Sequence, residues 1–181
     1  MSYKVTEAPT LQVLSLQDAK AHLYVTQTAD DAYITDLIDE AADYAERHMA
    51  VALRDQEITA YLSATTSAQR LPVGNVSGIE SVAYRNTDNE WTAFTASDYY
   101  FDDASELIEI DEIPNNAVQV RVVYRAGYEY ADDIPSGIIR GIKLLIGHWY
   151  ANRESVVVGA PANNVPLAVD ALLQQHRLMG V

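Results

Sequence analysis

The clearest helical pattern in the sequence is DDAYITDLIDEAADYAERHMA, residues 30–50. Its apolar residues recur every three to four positions, which places them on one face of a helix. These apolar residues are Ile34, Leu37, Ile38, Ala41, Ala42, Ala45 and Met49. The opposite face carries five acids, which are Asp36, Asp39, Glu40, Asp43 and Glu46. We therefore expect an amphipathic helix over residues 30–50, with one buried face and one acidic face.

A shorter helix is predicted upstream of this pattern. Ser15 is a good helix N-cap, and Asp18, three residues later, favours the positive end of the helix. Together the two helices make residues 1–55 the N-terminal helical part of the predicted body.

From residue 56 the pattern changes to short runs of β-forming residues, separated by turns. Residues 79–84 and 91–94 flank the turn 87–90 and predict a hairpin, and residues 118–122 alternate cleanly between apolar and polar. Further strands are expected at residues 57–62, 99–101 and 107–110. Residues 56–130 are therefore predicted to form a central antiparallel β module.

The final third returns to a helical pattern. Pro135 suits a first helical turn, and residues 131–158 are expected to form one long, mostly buried helix. Its predicted core or subunit-packing stripe comprises Ile138, Ile142, Leu145, Trp149 and Tyr150. Residues 159–166 are expected to form a loop, and a last amphipathic helix is expected to end near Met179, so that residues 159–181 make a loop and docking helix. The order of elements predicts an α+β fold: a helical bundle body, built from N- and C-terminal helices, around a β module.

The composition excludes several classes of protein. The chain has 181 residues, of which 26 are acidic and 12 are Lys or Arg, so its formal net charge is −14. Such a charge disfavours tight binding of nucleic acid or of an anionic membrane. With no cysteine, the chain has no disulfide, no thiol nucleophile and no cysteine-ligated metal. We expect neither a signal peptide nor a membrane span, because no long apolar run is present.

No catalytic motif stands out. The four histidines lack metal-ligand spacing, and the adjacent acid pairs fall at predicted turns or helix starts, where solvent keeps both carboxylates ionised. The sequence thus predicts no metal, no cofactor and no catalytic residue. Small residues at Gly137 and Gly141 let another backbone approach closely, either within the core or from a neighbouring subunit.

Segments along nearly the whole chain resemble one known family. The last third contains Ala126-Gly127-Tyr128 and His148-Trp149-Tyr150-Ala151-Asn152-Arg153-Glu154. The segments that carry the resemblance lie at residues 15–23, 30–41, 122–128, 134–135, 139–145, 148–154 and 166–173. They resemble tailed-phage head–tail connector proteins, also called head-completion adaptors, which have relatives in prophages and gene transfer agents. The sequence departs from the family pattern at Ala168, where Gly is expected, and at Gly141 and Gly147, where Ala is more usual.

The resemblance implies a structural virion protein at the head–tail interface, made in the cytoplasm of a host bacterium and without catalysis. Such proteins form a ring of roughly a dozen copies beneath the portal protein. The ring extends the DNA channel and presents a platform to a stopper or tail-completion protein. The C-terminal segment docks on the portal in similar proteins, and here the corresponding residues are Pro166, Leu167, Val169, Leu172, Leu173 and Arg177.

Two further interpretations concern the acidic helix and the protein class. The five acids of the second helix either keep the protein soluble or line a passage through which DNA slides without adhering. The alternatives to a connector are another phage morphogenesis protein, such as a stopper or tail terminator, and a small carboxylate-dependent hydrolase. The hydrolase requires two carboxylates with different pKa values in one apolar pocket.

Overall fold

The structure of the chain is a computed structural model that describes residues 2–152 and 167–178. It contains helices and antiparallel sheets, which confirms the predicted α+β class. The described residues divide into two compact units. Those of Met1–Thr10, Ala50–Tyr128 and Leu178–Val181 form a β unit, and those of Leu11–Met49 and Glu129–Arg177 form a helical unit.

The β unit contains two antiparallel sheets. Its strands are β1 Ser2–Glu7, β2 Gln56–Ser63, β3 Ala68–Arg70, β4 Val76–Asn86, β5 Trp91–Ala93, β6 Tyr99–Asp102, β7 Leu107–Ile110 and β8 Ala117–Ala126. One sheet has the order β1-β2-β8-β4-β5, and the other has the order β3-β7-β6. The predicted hairpin is confirmed, since Arg85 of β4 pairs with Trp91 of β5.

The core of the β unit lies on one face of the five-stranded sheet. Along β8 every second residue from Val120 to Ala126 is buried, because side chains alternate between the two faces of a strand. The core also includes Ile108 and Ile110 of β7, from the smaller sheet. Tyr124 is fully buried there, and its hydroxyl bonds both the N–H and the carbonyl of Val73, at 3.3 Å each. A buried tyrosine hydroxyl needs such partners, so Val73 explains why this ring tolerates complete burial.

Strand β1 is not predicted by the sequence analysis. It pairs antiparallel with β2, and the register shifts between Val5 and Glu7. All six of its residues are exposed. Its end is tied to the sheet by Arg125 of β8, which contacts Glu7 at 2.9 Å and also bonds Asp55. Backbone pairing and one charge cluster, rather than buried side chains, therefore hold β1 in place.

The helical unit contains four helices in the described residues: α1 Leu16–Leu23, α2 Asp31–Met49, α3 Ser136–Ala151 and α4 Leu167–Gln174. Ser15 is the N-cap of α1, as predicted, and its hydroxyl oxygen accepts the N–H of Asp18 at 3.1 Å. Both ends of helix α2 lie within one residue of the predicted limits, 30 and 50. Its seven apolar positions are all buried, as the periodicity indicates.

Helices α2 and α3 form the centre of the helical unit, since each packs against the other three helices of the described residues. Pro135 immediately precedes α3, in agreement with its predicted position at the helix start. A short 3-10 turn, Ala131–Asp133, comes before Pro135, so the predicted helix over residues 131–158 begins five residues later than expected. The part of that prediction after residue 152 lies outside the described residues, as does the predicted loop at residues 159–166.

The last helix is shorter than predicted. It ends at Gln174, because the N–H of His176 turns back to the carbonyl of Leu173 at 3.0 Å and closes the helix. Residues 175–178 are not helical, so the expectation of a helix reaching Met179 is wrong.

Candidate functional site

The apolar face of α4 is covered by the protein's own helical unit. Val169 and Leu173 have no exposed surface. A Cβ added to Gly141 of α3 would lie only 3.2 Å from Cδ2 of Leu173. The absence of a side chain at Gly141 therefore lets the two helices approach closely, and the contact that the sequence left open between core and neighbouring subunit lies in the core.

The outward side of α4 presents the remaining C-terminal candidates. Leu167 is 87% exposed and Arg177 is exposed, while Leu172 is half-buried. Pro166 lies outside the described residues. The six predicted portal-binding residues thus divide into two buried residues that attach α4 to the unit, three that reach solvent, and one that is not described.

A polar contact links α4 to α2. Nε2 of His48 lies 4.0 Å from Oδ1 of Asp170, and the His48 ring stacks on Tyr44. Burial, followed by the nearby charge of Asp170, raises the pKa of Tyr44. The ring of Trp149 in α3 also packs nearly perpendicular to that of Tyr44, with 6.0 Å between the ring centroids. The aromatic rings therefore join α2 to α3, and Asp170 adds a polar contact from α4.

The predicted packing stripe of α3 is buried at its beginning and opens toward its end. Ile138, Ile142 and Leu145 are buried, whereas Trp149 and Tyr150 are only half-buried. The hydroxyl of Tyr150 donates to Asp30 at 2.7 Å, so this ring also attaches the start of α2.

The acidic residues of α2 point away from its buried face. Asp36, Asp39, Glu40 and Asp43 are exposed, and Glu46 is half-buried. Asp39 and Glu40 follow Asp36 by three and four positions, so their carboxylates are neighbours of the Asp36 carboxylate on the helix surface. The predicted acidic face is therefore a continuous surface of the helical unit.

A second polar surface lies in the β unit, on the face of the five-stranded sheet opposite its core. There Trp91 of β5 is 37% exposed. The guanidinium carbon of Arg121 lies 4.5 Å from the centre of the Trp91 ring, and that of Arg85 lies 5.8 Å from it. Tyr61 of β2 completes the group at 6.5 Å from Trp91. We call Trp91, Arg85, Arg121 and Tyr61 the Trp91 patch.

Three of the adjacent acids in the sequence, Asp30, Asp31 and Asp102, have local structural roles. Asp31 pairs with Lys20, and Asp30 accepts the Tyr150 hydroxyl. Asp102 accepts bonds from the backbone N–H of Ala104 and the hydroxyl of Ser105, as a turn residue does. Within residues 2–152 and 167–178, no group of three His, Asp or Glu side chains is placed to hold a metal ion.

One carboxyl group does sit in a partly dry environment. Burial raises the pKa of Glu106, while the N–H of Asn75 donates to its Oε1 at 2.7 Å. Asn75 adopts a left-handed backbone conformation, with φ 64°, so Glu106 fixes a tight turn. This geometry gives Glu106 a structural role at the turn.

None of the helices in the described residues is long and apolar enough to cross a membrane. The prominent features of the described chain are exposed surfaces: the outward side of α4, the acidic face of α2 and the Trp91 patch. These surfaces are open to contact with other macromolecules.

The comparisons with known proteins identify the family. A family model described as head completion protein matches residues 12–179, and the chain belongs to this family. The predicted resemblance to head-completion adaptors is confirmed by this match. No curated protein matches the chain.

Solved structures of gene transfer agent particles contain chains of the same fold. The neck of an empty particle, computed with C6 symmetry, contains a chain with a TM-score of 0.78 and 22% identity. A chain in the virion of the native particle has a TM-score of 0.78 and 19% identity. A chain in the neck of the native particle, computed with C12 symmetry, has a TM-score of 0.75 and 19% identity. In each case the match covers 100% of this chain and 97% of the other.

Sequence reasoning missed the Trp91 patch. The pairing of Arg85 with Trp91 follows from the predicted hairpin once its register is known. The pairing of Arg121 with Tyr61 joins strands that lie 60 residues apart in the chain, and no local pattern indicates it.

Proposed function

We propose that the chain is a structural subunit of the head–tail connector of a tailed phage or related particle. In this role it forms a ring under the portal protein, extends the DNA channel and carries the stopper or tail-completion protein, without a catalytic function. The observation that carries the proposal is the family match over residues 12–179. The shared fold with neck chains, one of them from a twelvefold-symmetric reconstruction, supports a ring of about a dozen copies.

The helical unit is the natural body of such a subunit, and we propose that it forms the helical bundle around which the ring is built. Its helices meet through buried apolar residues, and α3 contacts the other three. A body of this kind keeps its shape while its outer surfaces bind several partners.

Portal docking is assigned to the outward side of α4. Leu167 is a large apolar side chain with 87% of its surface in solvent, which is unfavourable unless a partner covers it. Leu172 and Arg177 lie on the same short segment, and Pro166 precedes it. Val169 and Leu173 contribute indirectly, since their burial holds α4 in position.

The acidic face of α2 is proposed to line the DNA channel. Carboxylates repel the phosphate backbone, so a wall of Asp36, Asp39, Glu40, Asp43 and Glu46, repeated around a ring, lets DNA pass without adhering. The net charge of −14 makes each copy repel phosphate as well.

Electron microscopy of the purified protein mixed with its portal tests the proposal directly. The expected result is an additional ring beneath the portal, coaxial with its channel. Portal particles that remain bare at saturating protein concentrations contradict the connector assignment. A monomeric state of the free protein is compatible with it, because such a ring can form on the portal as a template.

The role of α4 is tested with a substitution that leaves the fold intact. Leu167→Glu places a charge on an exposed position and is expected to reduce portal capture at least about tenfold, with no change in thermal stability. Ala21→Glu adds the same charge at an exposed position of α1 and serves as the matched control. Equal capture by the wild type and Leu167→Glu rules out this side of α4 as the docking surface.

A further inference from the structure

The Trp91 patch concentrates positive charge on an acidic protein. The chain has only 12 Lys and Arg residues against 26 acids, yet Arg85 and Arg121 converge on one tryptophan. Arg121 pairs across the strands with Tyr61 and with Ala83, and Arg85 pairs with Trp91. Cross-strand partners share a face of the sheet, so the two cations and the two aromatic rings face the same way.

Among residues 2–152 and 167–178, no acid forms an ion pair with either cation of the patch. In the described part of the chain, Arg85 donates to the neutral amide oxygen of Asn89 at 3.1 Å, and Arg121 contacts the Trp91 ring. The Nε atoms of both arginines are buried and have no hydrogen-bond partner among the described residues. Both side chains are only half-buried, and a carboxylate of another molecule would meet their terminal guanidinium nitrogens rather than the buried Nε atoms.

Another arginine on the same face shows the contrast. Arg125 is two alternations along β8 from Arg121, and it bonds two carboxylates, Asp55 and Glu7. The arginine that ties β1 to the sheet, Arg125, is therefore paired with two carboxylates. The Trp91 patch is left with its charge available.

We propose that the Trp91 patch is an interface that binds the acidic face of α2 from a second copy of this chain. The proposal deepens the proposed connector ring and rests on it, since it names the surfaces through which neighbouring subunits meet. The patch offers two cations, and the α2 face offers Asp36, Asp39 and Glu40. The charges are complementary, and the guanidinium geometry matches carboxylates.

Such a contact also relieves charge repulsion within the acidic face of α2. Asp36 and Glu40 are separated by four residues, so their carboxylates repel one another on the helix surface. A guanidinium group from a neighbouring copy relieves this repulsion, while Trp91 and Tyr61 cover the helix surface around it. In this arrangement Asp36, Asp39 and Glu40 lie between subunits, and the channel-lining role proposed for the acidic face is restricted to Asp43 and Glu46.

A contact between these two unlike surfaces is compatible with a closed ring. The patch belongs to the β unit and the acidic face belongs to the helical unit, so the two contacting surfaces differ. A contact between unlike surfaces is repeated head to tail from copy to copy, and it closes into a ring when the rotation allows.

Charge reversal followed by restoration tests the proposal. Arg85→Glu with Arg121→Glu reverses the patch, and Asp36→Lys with Glu40→Lys reverses the helix face. Each pair is expected to reduce the fraction of portals carrying a ring at least about tenfold at a fixed protein concentration. The chain with all four substitutions regains complementarity, and we expect it to form rings again. Arg140→Glu and Glu112→Lys alter charge at exposed positions elsewhere and serve as controls, and circular dichroism checks that each variant is folded.

Cysteine cross-linking provides a second test, because the chain contains no native cysteine. Ala93→Cys lies on β5 on the same face as Trp91, and Ala32→Cys is exposed one helical turn before Asp36. When chains carrying one or the other are mixed with portal and oxidised, a disulfide between the two variants is expected. Thr66→Cys, exposed near β3, replaces Ala93→Cys in the control reaction.

The outcomes separate this proposal from the connector function. If both charge-reversed variants form rings as readily as the wild type, the proposed interface is overturned and the connector function still holds. A four-substitution chain that fails to form rings, although each pair prevents them, overturns the assignment of α2 as the partner surface. Duplex DNA that binds the wild type and not the patch-reversed variant also overturns it, in favour of nucleic acid. Wild-type protein that forms no ring on portals contradicts the connector function itself.

Discussion

The contact between Gly141 of α3 and Leu173 of α4 permits a quantitative test of how α4 is held. Leu173 is fully buried, so Leu173→Ala removes apolar contacts and leaves a cavity, at a cost of about 3 kcal/mol in the free energy of unfolding. Gly141→Ala has two opposing effects. It gains about 0.5–1 kcal/mol from the reduced freedom of the unfolded backbone. It also places a methyl group 3.2 Å from Leu173, and overpacking costs about 1–3 kcal/mol.

The two substitutions are expected to compensate one another. In the wild-type background the net effect of Gly141→Ala is a loss of about 1 kcal/mol, because overpacking exceeds the backbone gain. In the Leu173→Ala background the overlap is gone and the new methyl fills part of the cavity, which adds about 0.8 kcal/mol to the backbone gain. Gly141→Ala then stabilises by about 1.5 kcal/mol, so the coupling between the positions is about 2.5 kcal/mol.

Urea unfolding of the four proteins of this double-mutant cycle measures the coupling. Circular dichroism at 222 nm is a suitable signal, since all helices in the described residues belong to the helical unit. Gly147→Ala is the matched control: its Cβ would lie 3.5 Å from His22, an ordinary contact distance, so it should act independently of Leu173. Additivity of Gly141→Ala and Leu173→Ala within about 0.5 kcal/mol would refute the close packing of α4 on α3.

Other substitutions test single contacts. Trp149→Ala should lower the free energy of unfolding by about 2 kcal/mol, because Trp149 is only half-buried. A fully buried aromatic ring would cost about 3–5 kcal/mol. An unchanged thermal melt would contradict the packing of Trp149 on Tyr44. Tyr124→Phe should cost about 1–2 kcal/mol at neutral pH, since Val73 loses its partner. Burial raises the pKa of Tyr124 above its ordinary value of 10.0. As the pH rises, the tyrosine hydroxyl therefore loses its proton first in the unfolded state. Wild-type stability should fall by up to about 1.4 kcal/mol per pH unit above pH 10. A stability difference between wild type and Tyr124→Phe that stays constant from pH 9 to pH 11 would contradict this expectation. Glu7→Gln should change stability by less than about 1 kcal/mol, because the Glu7 carboxylate is largely exposed, and hydrogen exchange of β1 should quicken if Arg125 holds that strand.

The sequence predicts the elements of this fold whose signals are local. The Ser15 cap depends on residues only three positions apart, and the buried face of α2 follows from helical periodicity, so both are predicted correctly. Strand β1 has no buried side chain, and its partner β2 lies about 50 residues away, so its sequence carries no local signal.

Surface assignments are harder to predict than elements. The apolar periodicity of α4 shows that Val169 and Leu173 need a cover, but the same pattern results whether α3 or another protein provides it. Here α3 does so, and Leu167 is the large apolar side chain of α4 that remains in solvent. The Trp91 patch depends on the register of β2, β4, β5 and β8, which only the three-dimensional structure supplies.

The exposed strand β1 has a consequence for a protein that must accumulate before it assembles. It stands at one end of the five-stranded sheet, where an open edge invites indiscriminate pairing and fibre growth. Two features oppose this: the register shift between Val5 and Glu7 interrupts a flat edge, and Lys4 places a charge in the middle of the strand. Like charges in stacked copies of that edge would repel, so the sheet is discouraged from extending itself.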